Sequence, residues 1–410
     1  PSDGYPAPLK RRDCGEHSVQ DCPPQTKPII SGMLSEVSII KCREYSNEAV
    51  YRSVRDLLFS LGGMARFVKK GERILLKPNL LTAKPIDAAV TTHPSVVRAL
   101  ALLVREAGGV PLIGDSPGFG SAKKVAEKCG VMDVAKDLDV PFLELKTPVT
   151  VENPQGLVFK RLEIAKEALD VDGIINIPKL KTHAQMFLTM GVKNIFGCVP
   201  GKKKAQWHLT AGVNASFFAG IILDIYLYLK PRLTVIDAIV SMEGNGPASG
   251  EPKKTGFLCA SSDSVALDRA VVEILGRKPA EVPILKRAME FNIKETDLAR
   301  IKILGEKIED MHVASFNFPP PMSVNFAEIL PGFLERRLRK SLTSRPDIDR
   351  QSCTLCNICV EVCPAEMMSK TGRIIIDYDG CIRCYCCQEM CPQGAISVKE
   401  GWLKKIIPGL

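Results

Sequence analysis

Cys353-Thr354-Leu355-Cys356-Asn357-Ile358-Cys359-Val360-Glu361-Val362-Cys363-Pro364 is followed by Cys381-Ile382-Arg383-Cys384-Tyr385-Cys386-Cys387-Gln388-Glu389-Met390-Cys391-Pro392. Each run spaces its cysteines by two, two and three residues and ends in Cys-Pro, so the segment is an internal repeat. The gaps have a physical meaning. A 4Fe-4S cubane offers four iron corners, and two-residue gaps let one tight loop put three thiolates on three of them. The fourth thiolate comes from the other run. The spacing therefore predicts two 4Fe-4S clusters: one on Cys353, Cys356, Cys359 and Cys391, the other on Cys381, Cys384, Cys387 and Cys363. Structural zinc is the competing reading, but zinc sites pair two Cys-x2-Cys units and lack this double run. Cys386 reads as a spare packed thiol. Between the runs, Arg373 to Tyr378 reads as a strand of a small sheet.

The chain has 410 residues, more than one core usually organises, so two or three domains are expected. Hydrophobic residues make up 45% and charged residues 25%, the balance of a soluble globular protein. The net charge of +9 is spread as single Lys and Arg. No basic stripe is interleaved with aromatics, which argues against a nucleic-acid partner. Nine of the fifteen cysteines fall between Cys353 and Cys391, a density that points to metal ligation rather than a disulfide framework. Ligation needs reduced thiols, so a cytoplasmic, reducing and anaerobic setting is expected. Val213 to Leu229 is the longest apolar stretch. It contains Asn214 and Asp224 and is short for a membrane span, so it reads as a buried helix, with no transmembrane segment.

Residues 1–32 are rich in Pro, Ser and Asp and lack the apolar core of a secretory signal. They read as a disordered or non-native extension ahead of Met33, with Cys14 and Cys22 as unstructured thiols. From Met33 strands alternate with helices. Arg73 to Leu76, Val110 to Ile113, Ile174 to Ile177, Leu233 to Ile236, Phe257 to Ala260 and Arg300 to Leu304 read as strands. Pro94 opens one helix, and Asp263 caps another that Gly276 closes. The fold expected over 33–318 is α/β, on a mainly parallel sheet with right-handed crossovers. Residues 319–350 read as a linker, stiffened by Pro319-Pro320-Pro321 and carrying a basic amphipathic segment from Phe333 to Leu342. Residues 351–400 read as a small α+β ferredoxin-like two-cluster module, and 401–410 as a tail.

Polar residues gather where the expected strands end. Lys77 and Asn79 follow one, Asp115 and Ser116 a second, Lys179, Lys181 and His183 a third, and Asp237 and Glu243 a fourth. In open α/β sheets the ligand crevice lies at those ends. His93, Lys193, Asn194, His208 and the Lys202-Lys203-Lys204 run lie on adjacent loops. Lysines with Asn fit an anionic ligand, and His with Asp or Glu fits proton transfer or a metal. Cys198 reads either as a redox thiol or as a small buried residue. Three near-motifs fail on physical grounds. Gly114-Asp115-Ser116-Pro117-Gly118 fits G-x-S-x-G, but Pro117 has no N–H for an oxyanion hole. Gly197 to Lys203 is one residue short of a P-loop, and the glycines from Gly244 lead into a strand instead of a helix.

Six segments stand in order: Lys77-Pro78-Asn79, Thr91-Thr92-His93-Pro94, Gly114-Asp115-Ser116-Pro117-Gly118, Pro178-Lys179-Leu180-Lys181-Thr182-His183, Lys193-Asn194-Ile195-Phe196-Gly197 and Glu243-Gly244-Asn245-Gly246-Pro247. Together they closely resemble the family of domain of unknown function 362, from about Met33 to Glu306. The resemblance implies an iron–sulfur protein, often with a C-terminal two-cluster ferredoxin domain, common in anaerobic bacteria and archaea and without a generally assigned reaction. Glu366 and Met367-Met368 depart from the small residues usual after the first Cys-Pro, which bears on packing more than on ligation.

The function expected is that of a redox protein. The module moves single electrons, and the α/β part binds an anionic small molecule through Lys77, Asn79, Lys179, Lys181, Lys193 and Asn194. His183 or Asp115 is the expected proton-transfer group, and a redox partner protein is expected. Two alternatives stand beside it. One is a non-redox isomerase or transferase whose clusters hold the domain or sense oxygen. The other is a dedicated electron carrier or assembly partner that docks through its α/β domain.

Overall fold

The alternation read upstream of the cysteines folds into one ten-stranded sheet, in a computed structural model that describes residues 34–118, 120–319 and 344–400. The first strands are β1 (Ser35–Lys41), β2 (Arg73–Pro78), β3 (Val110–Asp115) and β4 (Phe142–Glu144). β5 (Pro148–Glu152) and β6 (Arg161–Ala165) form a separate hairpin. The main sheet continues with β7 (Gly173–Ile177), β8 (Lys179–His183), β9 (Phe187–Thr189), β10 (Leu233–Glu243), β11 (Glu251–Ser261) and β12 (Ile301–Gly305). The spatial order is β12-β1-β11-β10-β7-β2-β3-β4, with β8 beside β10 and β9 beside β8. Pairs are parallel except at β1–β11, β10–β11 and β8–β9.

Period-two alternation sends successive strand residues into two cores, one on each face. Ile74 and Leu76 of β2 enter one core and Leu75 the other; Leu258 and Ala260 of β11 part in the same way from Phe257 and Cys259. Helices Asn47–Phe59 and Pro94–Glu106 cover one face, and Ala215–Leu229, Ser264–Ile274 and Pro283–Glu290 the other. The result is a three-layer α/β architecture. Asn214 caps the apolar helix Ala215–Leu229. Buried Asp224 on that helix accepts the N–H groups of Leu157, Val158 and Phe159, which explains a charge in an apolar run. Among the described residues no helix is long and apolar enough to cross a membrane.

Three boundaries differ from the sequence reading. β10 runs on to Glu243, so Asp237 lies inside a strand rather than after one. Lys179, Lys181 and His183 follow β7 as expected, but they themselves form a further strand, β8. Pro178 has no N–H for the ladder, so the chain breaks pairing there and resumes it against Asp237 and Met242 of β10. The linker was expected to reach 350, but β13 (Arg345–Ile348) already pairs with the C-terminal strand of the cysteine segment, Ile396–Lys399. The segment also contains β14 (Met368–Lys370) and β15 (Ile374–Ile376), and Ile396–Lys399 is β16. Cys359, Met368, Cys387 and Ile396 make its small core. The readings made for residues 1–32, for Phe333 to Leu342 and for the tail lie outside the described residues.

Candidate functional site

The two cysteine runs curl the same way. Leu355 and Asn357 in the first and Arg383 and Tyr385 in the second have positive φ, and each loop leads into a short helix, Ile358–Glu361 or Cys386–Glu389. Cys353, Cys356, Cys359 and Cys391 line one small cavity with Ile348, Ile374 and Ile396. Cys363, Cys381, Cys384 and Cys387 line another with Met368 and Ile376. Each cavity takes three thiols from one run and one from the other. Soft sulfur donors around an apolar hollow fit an iron–sulfur group and suit a hard oxygen-seeking cation poorly.

A third cavity, of about 110 Å³, lies where β2, β3 and β8 approach the second cysteine loop. Space of this size takes several waters or a small anion. Lys77, Lys181, Lys193 and Lys204 line it, against two carboxylates, Asp115 and Glu389. Asn79, Asn194, His183 and His208 also face it. An open groove of about 920 Å³ shares its Asp115–Gly118 edge and reaches Lys146, Lys203 and Cys363.

Most of these groups are pinned. Lys77 Nζ sits 2.8 Å from Asp115 Oδ1 and donates to the Pro78 carbonyl at 2.8 Å. Asp115 also accepts the N–H groups of Leu80 at 2.7 Å and Ser116 at 2.8 Å. With both oxygens engaged, Asp115 anchors the loop after β3. Gly197 passes so close that a Cβ there would lie 2.3 Å from Asp115 Oδ1 and 2.4 Å from Lys77 Nζ. Lys181 Nζ donates to Asn79 Oδ1 at 2.9 Å and to the Val90 carbonyl at 2.7 Å. Asn79 donates to Asn194 at 2.9 Å, and Asn194 donates to Asn176 at 2.8 Å, an amide chain that fixes both side chains at the cavity wall. Lys204 Nζ donates to the Ser116 carbonyl at 2.6 Å, and burial pushes its pKa down to about 7.

The other wall is open. Lys193 makes no protein hydrogen bond among the described residues and lies over the Phe196 ring at 6.0 Å. Burial lowers its pKa, and Glu389 works against that. His183 Nδ1 accepts the N–H groups of Gln185 at 3.1 Å and Met186 at 3.2 Å. The proton of the neutral ring is therefore on Nε2, which lies 2.9 Å from Glu389 Oε1 without hydrogen-bond alignment. Burial pushes His183 down to about 4 and His208 down to about 3, so both rings are neutral at pH 7. Burial alone would raise Glu389, but His183 and Lys193 outweigh it and hold the carboxyl below its usual range.

Lys179 is not brought to this cavity. It donates to Tyr45 Oη at 2.7 Å and Asp237 Oδ2 at 2.9 Å, in a closed node that His93 completes by stacking on Tyr45 at 3.6 Å. His93 is thereby separated from His183 and His208. Outside the two cysteine cavities, no three His, Cys, Asp or Glu side chains among the described residues gather as for a single metal ion. Cys198 is fully buried and its thiol is pushed up to about 12 by desolvation, the state of an inert packing residue. Cys386, read as a spare packed thiol, lines the lysine cavity beside Glu389 and Met390. Sequence reasoning missed Glu389 and Thr189 as cavity residues. Glu389 lies inside a run whose spacing was wholly explained by its cysteines, and the only signal was an acidic residue two places after Cys387.

The cysteine segment is seated on the Glu243-to-Pro247 motif. Gln388 Nε2 donates to Asn245 O at 3.0 Å, Asn245 Oδ1 at 2.8 Å and Gly246 O at 3.0 Å. Asn245 Nδ2 donates back to the Ile396 carbonyl at 3.2 Å.

The family described as domain of unknown function (DUF362) matches residues 74–273, and the 4Fe-4S binding domain matches residues 346–369 and 374–397. A thylakoid-associated protein of Synechocystis sp. is 44% identical over 264 residues, which cover 64% of this chain and 82% of that protein. Among solved structures, the lactate racemase apoprotein of Thermoanaerobacterium thermosaccharolyticum matches with a TM-score of 0.37 and 11% identity over 58% of this chain. A Thermotoga maritima protein matches with a TM-score of 0.34 and 12% identity over 55% of this chain. The chain spans 56% and 57% of those two structures. With its ordered motifs, its 4Fe-4S binding domain and this relative, the chain belongs to the DUF362 family.

Proposed function

We propose that this iron–sulfur protein works in electron transfer, its cysteine module exchanging electrons with a small anion held in the lysine cavity. One observation carries the reading: Cys386, Glu389 and Met390, from the loop between Cys384 and Cys391, form one wall of that cavity. A ligand there lies beside the thiols of the second cysteine cavity. In this reading each four-cysteine cavity holds one 4Fe-4S cluster, with Cys353, Cys356, Cys359 and Cys391 on one and Cys363, Cys381, Cys384 and Cys387 on the other. A bound cluster supplies or accepts one electron at a time. Lys193 and Lys181 attract the anion, Asn79 and Asn194 hold the wall in place, and His183 Nε2 with Glu389 holds the proton that accompanies the electron. Lys77 and Lys204 add positive field. Lys179 supports β8 from outside the cavity. Cys356 is exposed, so the first loop is the natural approach for a redox partner protein. Thiols kept reduced for ligation fit a cytoplasmic compartment.

The test is an anaerobic redox titration of the full chain with and without inorganic phosphate at matched ionic strength. Iron and acid-labile sulfide should each approach about eight per chain. Phosphate should lower the potential of one cluster and leave the other in place, because a nearby negative charge disfavours adding an electron. If phosphate binds and neither potential moves, electron transfer to the cavity is refuted and a non-redox enzyme with structural clusters stands instead.

A further inference from the structure

The lysine wall explains why an anion enters; the opposite chemistry of four other atoms narrows which anion. Within the same cavity Thr189 Oγ1 and His208 Nδ1 are buried with no hydrogen-bond partner among the described residues, and His183 Nε2 and Glu389 Oε1, 2.9 Å apart, meet only each other and without alignment. Orphaned buried polar atoms are uncommon in folded proteins, and a set gathered around one cavity marks a group that is meant to answer them. Their roles differ. His183 Nε2 carries a proton, because Nδ1 already accepts two backbone N–H groups. It is a donor, as is Lys193. The Glu389 oxygen beside it is an acceptor. A ligand that satisfies both must offer lone pairs to Lys193 and His183 and a hydroxyl proton to Glu389.

We propose that the cavity selects a small oxyanion that carries its own hydroxyl proton, for which hydrogen phosphate serves as a redox-inert probe, and that Glu389 is the residue that reads this proton. The inference rests on the anion reading of the cavity given above and adds its specificity. A fully deprotonated oxyanion of the same size and charge would set lone pairs against the Glu389 carboxylate, and the loss is that of a buried charged hydrogen bond. Glu389 comes from the cysteine module, so the α/β part alone supplies attraction without this discrimination.

The experiment is calorimetric titration of the anaerobic, cluster-loaded full chain with inorganic phosphate and with sulfate. The titrations are run at about pH 8 and matched ionic strength, where phosphate is a dianion with one hydroxyl and sulfate a dianion with none. Phosphate should bind on the order of 10- to 100-fold more tightly. Glu389→Gln, whose amide can donate, should bring the ratio close to unity by tightening sulfate and weakening phosphate, with the visible absorption of the clusters retained. Equal binding of the two anions to the unaltered protein overturns the proposal while leaving the anion cavity standing. So does an unchanged ratio in a Glu389→Gln protein that keeps its clusters. Failure of both anions to bind the unaltered protein overturns the anion cavity and this inference together. The comparison in the unaltered protein does not depend on how any variant folds.

Discussion

Lys179 and Lys181 stand two residues apart on β8, and their surroundings are opposite. Around Lys179 every polar group is answered: Asp237 meets Lys179, the Tyr45 hydroxyl at 2.7 Å and the His93 N–H at 2.9 Å, and Tyr45 also accepts the Val240 N–H. Beyond Lys181 the wall opens onto Lys193, His183, His208, Thr189 and Glu389, where partners run out. Both regions are buried and both hold lysines and a carboxylate, but only the first closes them into an ion pair. A saturated buried ion pair is architecture, because breaking it strands a charge; an unpaired set leaves room for a ligand to finish it.

That contrast can be broken at its closed end first. Lys179→Met leaves Asp237 without its cation and should cost about 3–5 kcal/mol of unfolding free energy in urea titrations. Phosphate affinity of the folded fraction should stay unchanged; a large loss of affinity with intact stability would reverse the roles given to the two regions. At the open end, Lys193→Met should weaken phosphate binding by on the order of 10- to 100-fold, the value of a charged hydrogen bond. Its unfolding free energy should stay within about 1 kcal/mol of the parent, since no protein acceptor is orphaned. A destabilisation matching that of Lys179→Met would erase the distinction. The smallest effect concerns pH. Burial brings Lys204 from 10.5 down to about 7, so it is charged below that value and neutral above it. Sulfate keeps its own charge over this range. Its affinity should therefore rise by a factor of a few as pH falls from about 8 to about 6, with proton uptake on binding. A flat calorimetric profile would remove Lys204 from the set that attracts the anion.

How much of this was readable beforehand depends on range. The cysteine loops are local: gaps of two and three residues are written in consecutive positions, so the two four-thiol cavities and a 4Fe-4S binding domain could be expected from the sequence. The sheet was readable where strands are buried runs such as Ile174 to Ile177. It was less so at β8, where a strand made of Lys, Leu, Lys, Thr and His resembles a loop. Its side chains are buried only because Asp237, Asn79 and Val90 receive the lysines from distant segments. The cavity was half readable: Lys77, Asn79, Lys181, His183, Lys193 and Asn194 follow strands or adjoining loops, and they do converge. Lys179 went elsewhere because Tyr45 and Asp237 claim it. Glu389 and its reach of more than two hundred residues to His183 depend on how the module is seated, which no local pattern encodes.

The helix Cys386–Glu389 has one turn and three attachments. Cys387 faces the second thiol cavity, Gln388 grips Asn245 and Gly246, and Glu389 enters the lysine cavity. A swinging carrier needs a loose tether and a surface it can leave. In the electron-transfer reading proposed above, this three-point mounting fixes the gap between donor and acceptor instead, and exposed Cys356 marks the loop at which a visitor would arrive.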